Sequence, residues 1–361
     1  MRNRLSNSFH KYNKKCLTLQ AESVMASKSN IFTIASETGY SVSTVSRVLT
    51  GQAEKFRISK KAIDLISETA RRLNYQPDLV AQTLRTKQSR TIGLLVPGID
   101  NPFFATLAGI IIKLLGDRGY HTLLADSREA EAEEEQALQM FLGRKVDGII
   151  SVPVSSSAVR LEQISQQTPV VLIDRHFSKT NLPYVCTDNY VGARMATEYL
   201  LQHGYKRILA IQGVRSSMPN QERLRGFKDA LKGADVVFDA VGDAFSVENG
   251  HDEIVRIFGG QERRFDAVFA FSATILLGAI DAFRELNIKV GEEAGIISYD
   301  NNGFLDFLDP AITRVEQPLR EASELAVETL FSIMEARREG RSEPEILQRL
   351  IPPTLVVRSS C

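Results

Sequence analysis

The sequence predicts an α + α/β protein: a small helical head followed by two doubly wound α/β subdomains. Three observations lead there. Helix-capping signals crowd into residues 33–73, apolar strands alternate with amphipathic helices from Thr91 onward, and charge divides between these regions. The 361 residues suffice for two to three domains, and 43% hydrophobic with 24% charged residues is ordinary globular composition. That balance excludes a collagen-like or wholly disordered chain. No run approaches the roughly 18 apolar residues of a membrane span, and the first twenty residues hold no apolar stretch of signal-peptide length. Three scattered cysteines, Cys16, Cys186 and Cys361, suggest neither a disulfide framework nor a zinc site. A soluble cytoplasmic protein is expected.

The net charge of zero conceals an asymmetry. Residues 1–89 hold 15 Lys+Arg against 6 Asp+Glu, and residues 90–361 hold 29 against 38. A basic segment on an acidic body points to a nucleic-acid-binding head. A solvated basic tail is the plainer alternative, since five of the positive charges lie in the first fifteen residues. Residues 25–89 alone still carry 10 against 5.

The elements follow in order. Residues 1–29 lack hydrophobic periodicity and are rich in Asn, Ser and Lys, so a disordered extension is expected. Met25 is a second candidate start, with 1–24 preceding it. Residues 30–76 read as a helix-turn-helix domain. Thr33 caps its first helix and Gly39 stops it; Ser41 caps Val42–Leu49, and Ser59 caps a third helix through Ile63, Ile66, Ala70 and Leu73. Asn74-Tyr75-Gln76-Pro77 breaks the pattern, and 77–89 forms a linker with one short helix at 79–85, capped by Asp78. Residues 90–361 make the body. Its strands are expected at 92–96, 122–125, 148–152, 170–173, 208–212, 236–238, 267–270 and 295–299. Helices are expected at 104–115, 133–142, 192–201, 224–231, 275–286 and 319–336. Apolar runs without strict alternation are the mark of parallel strands buried on both faces.

Enzyme signatures are missing. There is no Gly-x-Gly-x-x-Gly after a strand, no P-loop, no His-Glu-x-x-His and no Gly-x-Ser-x-Gly elbow. The five histidines are scattered singly, with His121 and His203 at helix-to-strand connections. No catalytic residue, cofactor or metal ligand is expected. The strongest signal is Thr33-Ile-Ala-Ser-Glu-Thr-Gly-Tyr-Ser-Val-Ser-Thr-Val-Ser-Arg-Val-Leu49. Ala35 is small where two helices must cross, Gly39 permits the turn, and Val45 packs the second helix on the first. The face left over carries Val42, Ser43, Ser46 and Arg47, short groups with one long cation, and such a face suits a major groove. A surface helix of a generic helical domain is the plainer alternative.

This run resembles the DNA-binding head of the lactose/galactose repressor family, as does Leu79-Val-Ala-Gln-Thr-Leu-Arg85 that family's hinge. Arg90-Thr-Ile-Gly-Leu-Leu-Val-Pro97, Asn101-Pro-Phe-Phe104, Val146-Asp-Gly-Ile-Ile150, Thr187-Asp-Asn189-x-x-Gly192-Ala and Ser298-Tyr-Asp300 follow in the family's order. The resemblance covers about 30–358. The loop Gly51–Ser59, with Asp300-Asn301 and Leu305-Asp-Phe-Leu308, looks most like the fructose-repressor and sucrose-repressor branch.

The resemblance implies a homodimer, with a tetramer as an alternative, whose two heads bind a pseudo-palindromic operator. Val42, Ser43 and Arg47 would then read base edges. Ser41 and Thr44 would support the backbone, with Thr33 and Ser46 completing the contact set. The hinge would order on DNA, with Leu84 as a minor-groove wedge, Ala81 allowing close approach and Arg85 meeting phosphate. The body resembles periplasmic sugar-binding proteins, with an effector between two subdomains and crossovers near Asp188, near 316–318 and beyond Tyr299. Asp100, Asn101, Phe103, Phe104, Asp174, Arg175, Arg223, Ser272 and Asp300 are the expected effector contacts, the two phenylalanines forming a wall. Where most members carry Asn-Asp, this chain has Phe271-Ser272. That loss, with two arginines at the site, leads to the expectation that a phosphorylated sugar binds better than its free form. The function so implied is a sequence-specific transcriptional regulator, a repressor of carbohydrate-catabolism genes controlled by a sugar or sugar phosphate. Its rivals are a sugar-binding module without a DNA role and an enzyme with an unrecognised cleft.

Overall fold

The computed structural model describes residues 30–75, 88–260 and 264–361. The chain divides after Gln88 into a head and a body. The expected extension and the hinge helix, with Ala81, Leu84 and Arg85, lie outside the described residues.

The head packs α1 (Ile31–Thr38), α2 (Val42–Leu49) and α3 (Lys60–Arg72). Each start is fixed by a side-chain acceptor for an otherwise orphaned N–H: Asn30, Ser41 and Ser59 accept from Thr33, Thr44 and Ala62 at 3.0, 3.1 and 3.4 Å. Asn30 is therefore the cap of α1, not Thr33 as expected. Thr33 is already helical, and its own hydroxyl also donates to Asn30 at 3.2 Å. Gly39, at φ +73°, ends α1 in the left-handed conformation that the turn requires. Ile34, Val45, Val48, Ala53, Ile66 and Ala70 close the core.

In the body, strands β1 (Thr91–Val96), β2 (His121–Asp126), β3 (Gly148–Ser151), β4 (Val170–Ile173) and β5 (Tyr184–Thr187) come first. They are followed by β6 (Arg207–Ile211), β7 (Val237–Val241), β8 (Ala267–Ala270), β9 (Gly295–Tyr299), β10 (Thr313–Glu316), β11 (Gln348–Ile351) and β12 (Thr354–Val356). The helices are α4 (Pro102–Asp117), α5 (Glu131–Gly143), α6 (Val159–Ser165), α7 (Asn189–Gln202), α8 (Met218–Leu231), α9 (Val247–Phe258), α10 (Ala273–Glu285) and α11 (Leu319–Glu339). Two six-stranded sheets result, ordered β11-β5-β4-β3-β1-β2 and β12-β10-β9-β8-β6-β7. All pairings are parallel except β10 with β12. Strands β3, β4, β8 and β9 are buried at every position, because helices cover both faces.

The chain passes between the subdomains three times, at Asp188, at Gln317-Pro318 and at Pro352-Pro353. The third crossing is not near the C-terminal side of Tyr299, as expected, but some fifty residues later. Tyr299 ends β9, which pairs with β10 in the same sheet. The true third crossing joins β11 to β12, two strands too short and too exposed to leave an apolar signature. The four-residue β5 and β10, the latter carrying Arg314 and Glu316, also escape a reading by apolar runs, as do helices α6 and α9. Gly192 in α7 lies where the crossings crowd together: a Cβ there would stand 2.2 Å from the Tyr299 hydroxyl and 2.8 Å from Pro353.

Gly192→Ala should therefore destabilise the body by about 1–3 kcal/mol through overpacking. Gly116→Ala, in α4 with no atom within 4 Å of its added carbon, should be neutral or stabilising by up to ~1 kcal/mol. Denaturant unfolding of both variants checks the pair, and equal shifts would contradict this account of Gly192.

Candidate functional site

The cleft forms where strands of both sheets end, the usual ligand position in open α/β folds. After β4, Asp174 takes a left-handed backbone (φ +65°), and after β9, Asp300 does the same (φ +78°), which turns both carboxylates toward the cleft. From the first subdomain Asn101, Phe103, Phe104, Asp174 and Arg175 line the cavity; from the second come Pro219, Arg223, Phe245, Ser272 and Asp300, with Gln317 on a crossing segment. Eight of the nine expected effector residues thus meet in one place. Asp100 does not: it is exposed and outside the lining. The cavity holds about 30 Å³, room for one or two waters and no more.

The arginines are held differently. Both terminal nitrogens of Arg175 donate to Glu129, at 2.6 and 2.8 Å, in a bidentate pair. Its Nε is buried and without a hydrogen-bond partner among the described residues. Arg223 on α8 donates through Nε to Asn189 Oδ1 at 2.8 Å and through Nη1 to the Phe271 carbonyl. Its guanidinium carbon lies 3.7 Å from the centre of the Tyr299 ring. Asp300 accepts from the Ala273 N–H at 3.1 Å and from Gln317 Nε2 at 2.6 Å, while Gln317 Oε1 is buried and unpartnered among the described residues. Ser272 caps α10, accepting from Ile275 at 3.2 Å. Phe271 turns away from the cleft into an aromatic cluster with Phe227 and Phe269.

This arrangement bears on the phosphate expectation. Glu129 engages one guanidinium, and with Asp174 and Asp300 it makes three carboxylates against two cations, so the site has no surplus positive charge for a dianion. Burial pushes the Asp174 carboxyl up to about 6, against the pull of Arg175 and Arg223 and helped by Asp300 and Glu129. Burial likewise raises the Tyr299 phenol.

Sequence reasoning missed Glu129, Pro219, Phe245 and Gln317. Glu129 sits in an acid-rich stretch where nothing singles it out. Finding Gln317 required recognising β10 just before it. Asn189 was visible as a motif residue but not as the partner of Arg223.

In the head, α2 buries Val45 and Val48 and leaves Ser43 exposed, with Val42, Ser46 and Arg47 half-buried. Ser41 and Thr44 are joined hydroxyl to hydroxyl at 2.9 Å across the start of the helix. The expected base-reading residues are thus on the face of α2 away from the core.

A strand-end cleft in a two-subdomain body, preceded in the chain by a helix-turn-helix, defines an effector-binding domain coupled to a DNA-binding one. Residues 92–305 match the periplasmic binding protein domain family. The chain is 31% identical to the ribose operon repressor of Halalkalibacterium halodurans, over 91% of this chain and 95% of that protein. It is 30% identical to the sucrose operon repressor of Streptococcus mutans, over 82% and 90%. Among solved structures, a putative ribose operon repressor from Burkholderia thailandensis is 30% identical, covering 74% of this chain and 99% of that one, with a TM-score of 0.65. The lac repressor dimer bound to operator and the anti-inducer ONPF shares the fold at TM-score 0.80 and 23% identity, over 92% and 98%. The chain belongs to the lactose/galactose repressor family.

The state of Asp174 sets a pH dependence. The unfolded chain releases this proton near pH 4 and the folded body near pH 6. Between those values the unfolded state binds fewer protons, so stability falls as pH rises and levels off above about 6. Asp174→Asn should abolish this component and stabilise the body at pH 7 by on the order of 1–3 kcal/mol. Urea unfolding from pH 4 to 8 checks it; an unchanged pH profile would contradict the burial argument.

Proposed function

We propose that the chain is a dimeric, operator-binding repressor of a carbohydrate operon, and that its effector is a neutral sugar of pentose size, ribose being the first candidate. The observation that carries the effector is unused hydrogen-bonding capacity between aromatic walls. Arg175 Nε, 3.9 Å from Asp174 Oδ2, and Gln317 Oε1 are buried without hydrogen-bond partners among the described residues, and both residues line the cavity with Phe104 and Phe245. A buried polar atom left unmatched costs about 1–3 kcal/mol, which a ring of hydroxyls bridging the subdomains would recover. Aromatic faces suit the apolar side of a sugar ring. Two relatives named ribose operon repressors support the same choice.

The head supplies the output. The face of α2 carrying Ser43 and Arg47 enters the major groove, and Leu84 in the hinge wedges the minor groove. Thr33, near the start of α1, and the joined Ser41 and Thr44 face the phosphate backbone. Sugar bound in the cleft favours one separation of the subdomains, and its differential affinity for that state changes operator affinity by the same free energy. The protein has no catalytic role and works in the cytoplasm with its operator; no helix among the described residues is long and apolar enough to cross a membrane.

Calorimetry should find ribose binding more tightly than ribose 5-phosphate. Arg223→Ala should weaken ribose by roughly 1.5–3 kcal/mol, as loss of a charge-assisted contact does. Tighter binding of the phosphate would restore the anionic effector and defeat the neutral one. On DNA, Arg47→Ala should cost about 1–3 kcal/mol on operator and far less on random duplex. Equal losses would reduce Arg47 to a phosphate contact. Failure to bind DNA with a steep salt dependence would favour a sugar-binding module without a DNA role.

A further inference from the structure

Arg47 is the one charged residue on α2, and a long side chain reading a base edge must first be ordered. In the head its guanidinium is not free to wander: the guanidinium carbon lies 3.8 Å from the centre of the Phe56 ring. Phe56 belongs neither to α2 nor to α3 but to the segment joining them. That segment is itself well fixed. Gln52 N–H donates to the Arg47 carbonyl at 2.8 Å, Phe56 N–H to the Gln52 carbonyl at 3.3 Å, and Ile58 N–H to the Ala53 carbonyl at 2.9 Å. Ala53 is buried in the core of the head, and Arg57 takes a left-handed backbone at φ +48°. Yet Phe56 itself remains 42% exposed. A connection anchored at its neighbours thus holds a large aromatic ring at the surface, and the ring carries Arg47.

From this geometry we infer that Phe56 is a specificity-determining positioning residue, which sets the plane of the Arg47 guanidinium and so selects the base edge that Arg47 can meet with two hydrogen bonds. This rests on the reading of Arg47 as a base contact. Bidentate recognition of guanine needs the planar fork in one orientation. A cation over an aromatic face is held by the ring quadrupole and by dispersion, while its edge stays open for donation. The contact restrains a guanidinium that four rotatable bonds would otherwise leave to solvent. Selectivity contributed by Arg47 therefore depends on a residue that need not touch DNA.

The test is a double-mutant cycle in the full-length protein, with dissociation constants taken at one salt concentration on operator, on operators carrying single base-pair changes, and on random duplex. Phe56→Ala should lower the operator-to-random ratio about 3–30-fold, in the range expected for a cation–π contact. The loss should concentrate at the base pair where Arg47→Ala relaxes discrimination. Phe56→Tyr, which keeps the ring face, should restore most of the ratio, and Phe56→Leu should not. In an Arg47→Ala background, Phe56→Ala should have no further effect on the ratio. The slope of affinity against log salt should be unchanged, since no phosphate contact is lost. Thermal unfolding of each variant separates a loosened head, which would weaken every DNA alike. An undiminished effect of Phe56→Ala without Arg47, or equal loss on operator and random duplex, would overturn the inference. If Arg47→Ala alone leaves the ratio intact, the base-reading role of Arg47 fails, and the inference with it, in a variant that does not involve Phe56.

Discussion

The buried guanidinium of Arg223 is the interaction on which the effector domain depends. A cation taken from water carries a penalty of several kcal/mol unless its donors and its charge are matched. Here the match is made by groups from separate parts of the fold: Asn189 just after the first crossing, the Phe271 carbonyl at the end of β8, and the Tyr299 ring at the end of β9. The same group that satisfies the arginine therefore ties the first crossing to the strand ends of the second sheet. Asn189 is held in turn by the Thr187 carbonyl at 3.1 Å, and Tyr299 reaches the Asn189 carbonyl at 3.5 Å. Removing the arginine would leave Asp174 and Asp300 as buried neighbours with less to compensate them.

Arg175 is satisfied by a different logic. Its partner Glu129 comes from the connection between β2 and α5, within the same subdomain, and the carboxylate is 35% exposed. One arginine thus belongs to the interior of its subdomain and the other to the edge of its own. The two cations look equivalent in the sequence, yet Arg175 is paired with a carboxylate whereas Arg223 donates to the neutral Asn189 and the Phe271 carbonyl.

Much of the fold was legible in the sequence, because parallel strands buried on both faces are predominantly apolar. Strands β4, β8 and β9 were readable to the residue. The strands that escaped were β5, β10, β11 and β12, of which β11 turns Gln348, Arg349 and Leu350 to solvent. Caps were legible where the acceptor immediately precedes an apolar pattern, as at Ser41 and Ser59. Asn30 was not, because Thr33 offered a plausible hydroxyl within the same turn. At the site, residues at strand ends and in recognisable motifs were found, whereas Glu129, Phe245 and Gln317 act through distant contacts that leave no local pattern.

The three crossings are short: Asp188 alone, Gln317-Pro318 and Pro352-Pro353. Two stiff plates joined along one edge by three such straps behave as the covers of a book, not as beads on a string. Sliding and twisting would stretch at least one strap, and the prolines, with φ fixed near −65°, cannot lengthen to allow it. Rotation about the spine asks the least of these three short segments. Free energy released by a ligand between the covers is then directed mainly into that rotation. A change in sugar specificity can therefore evolve at the page edge without redesigning how the spine moves.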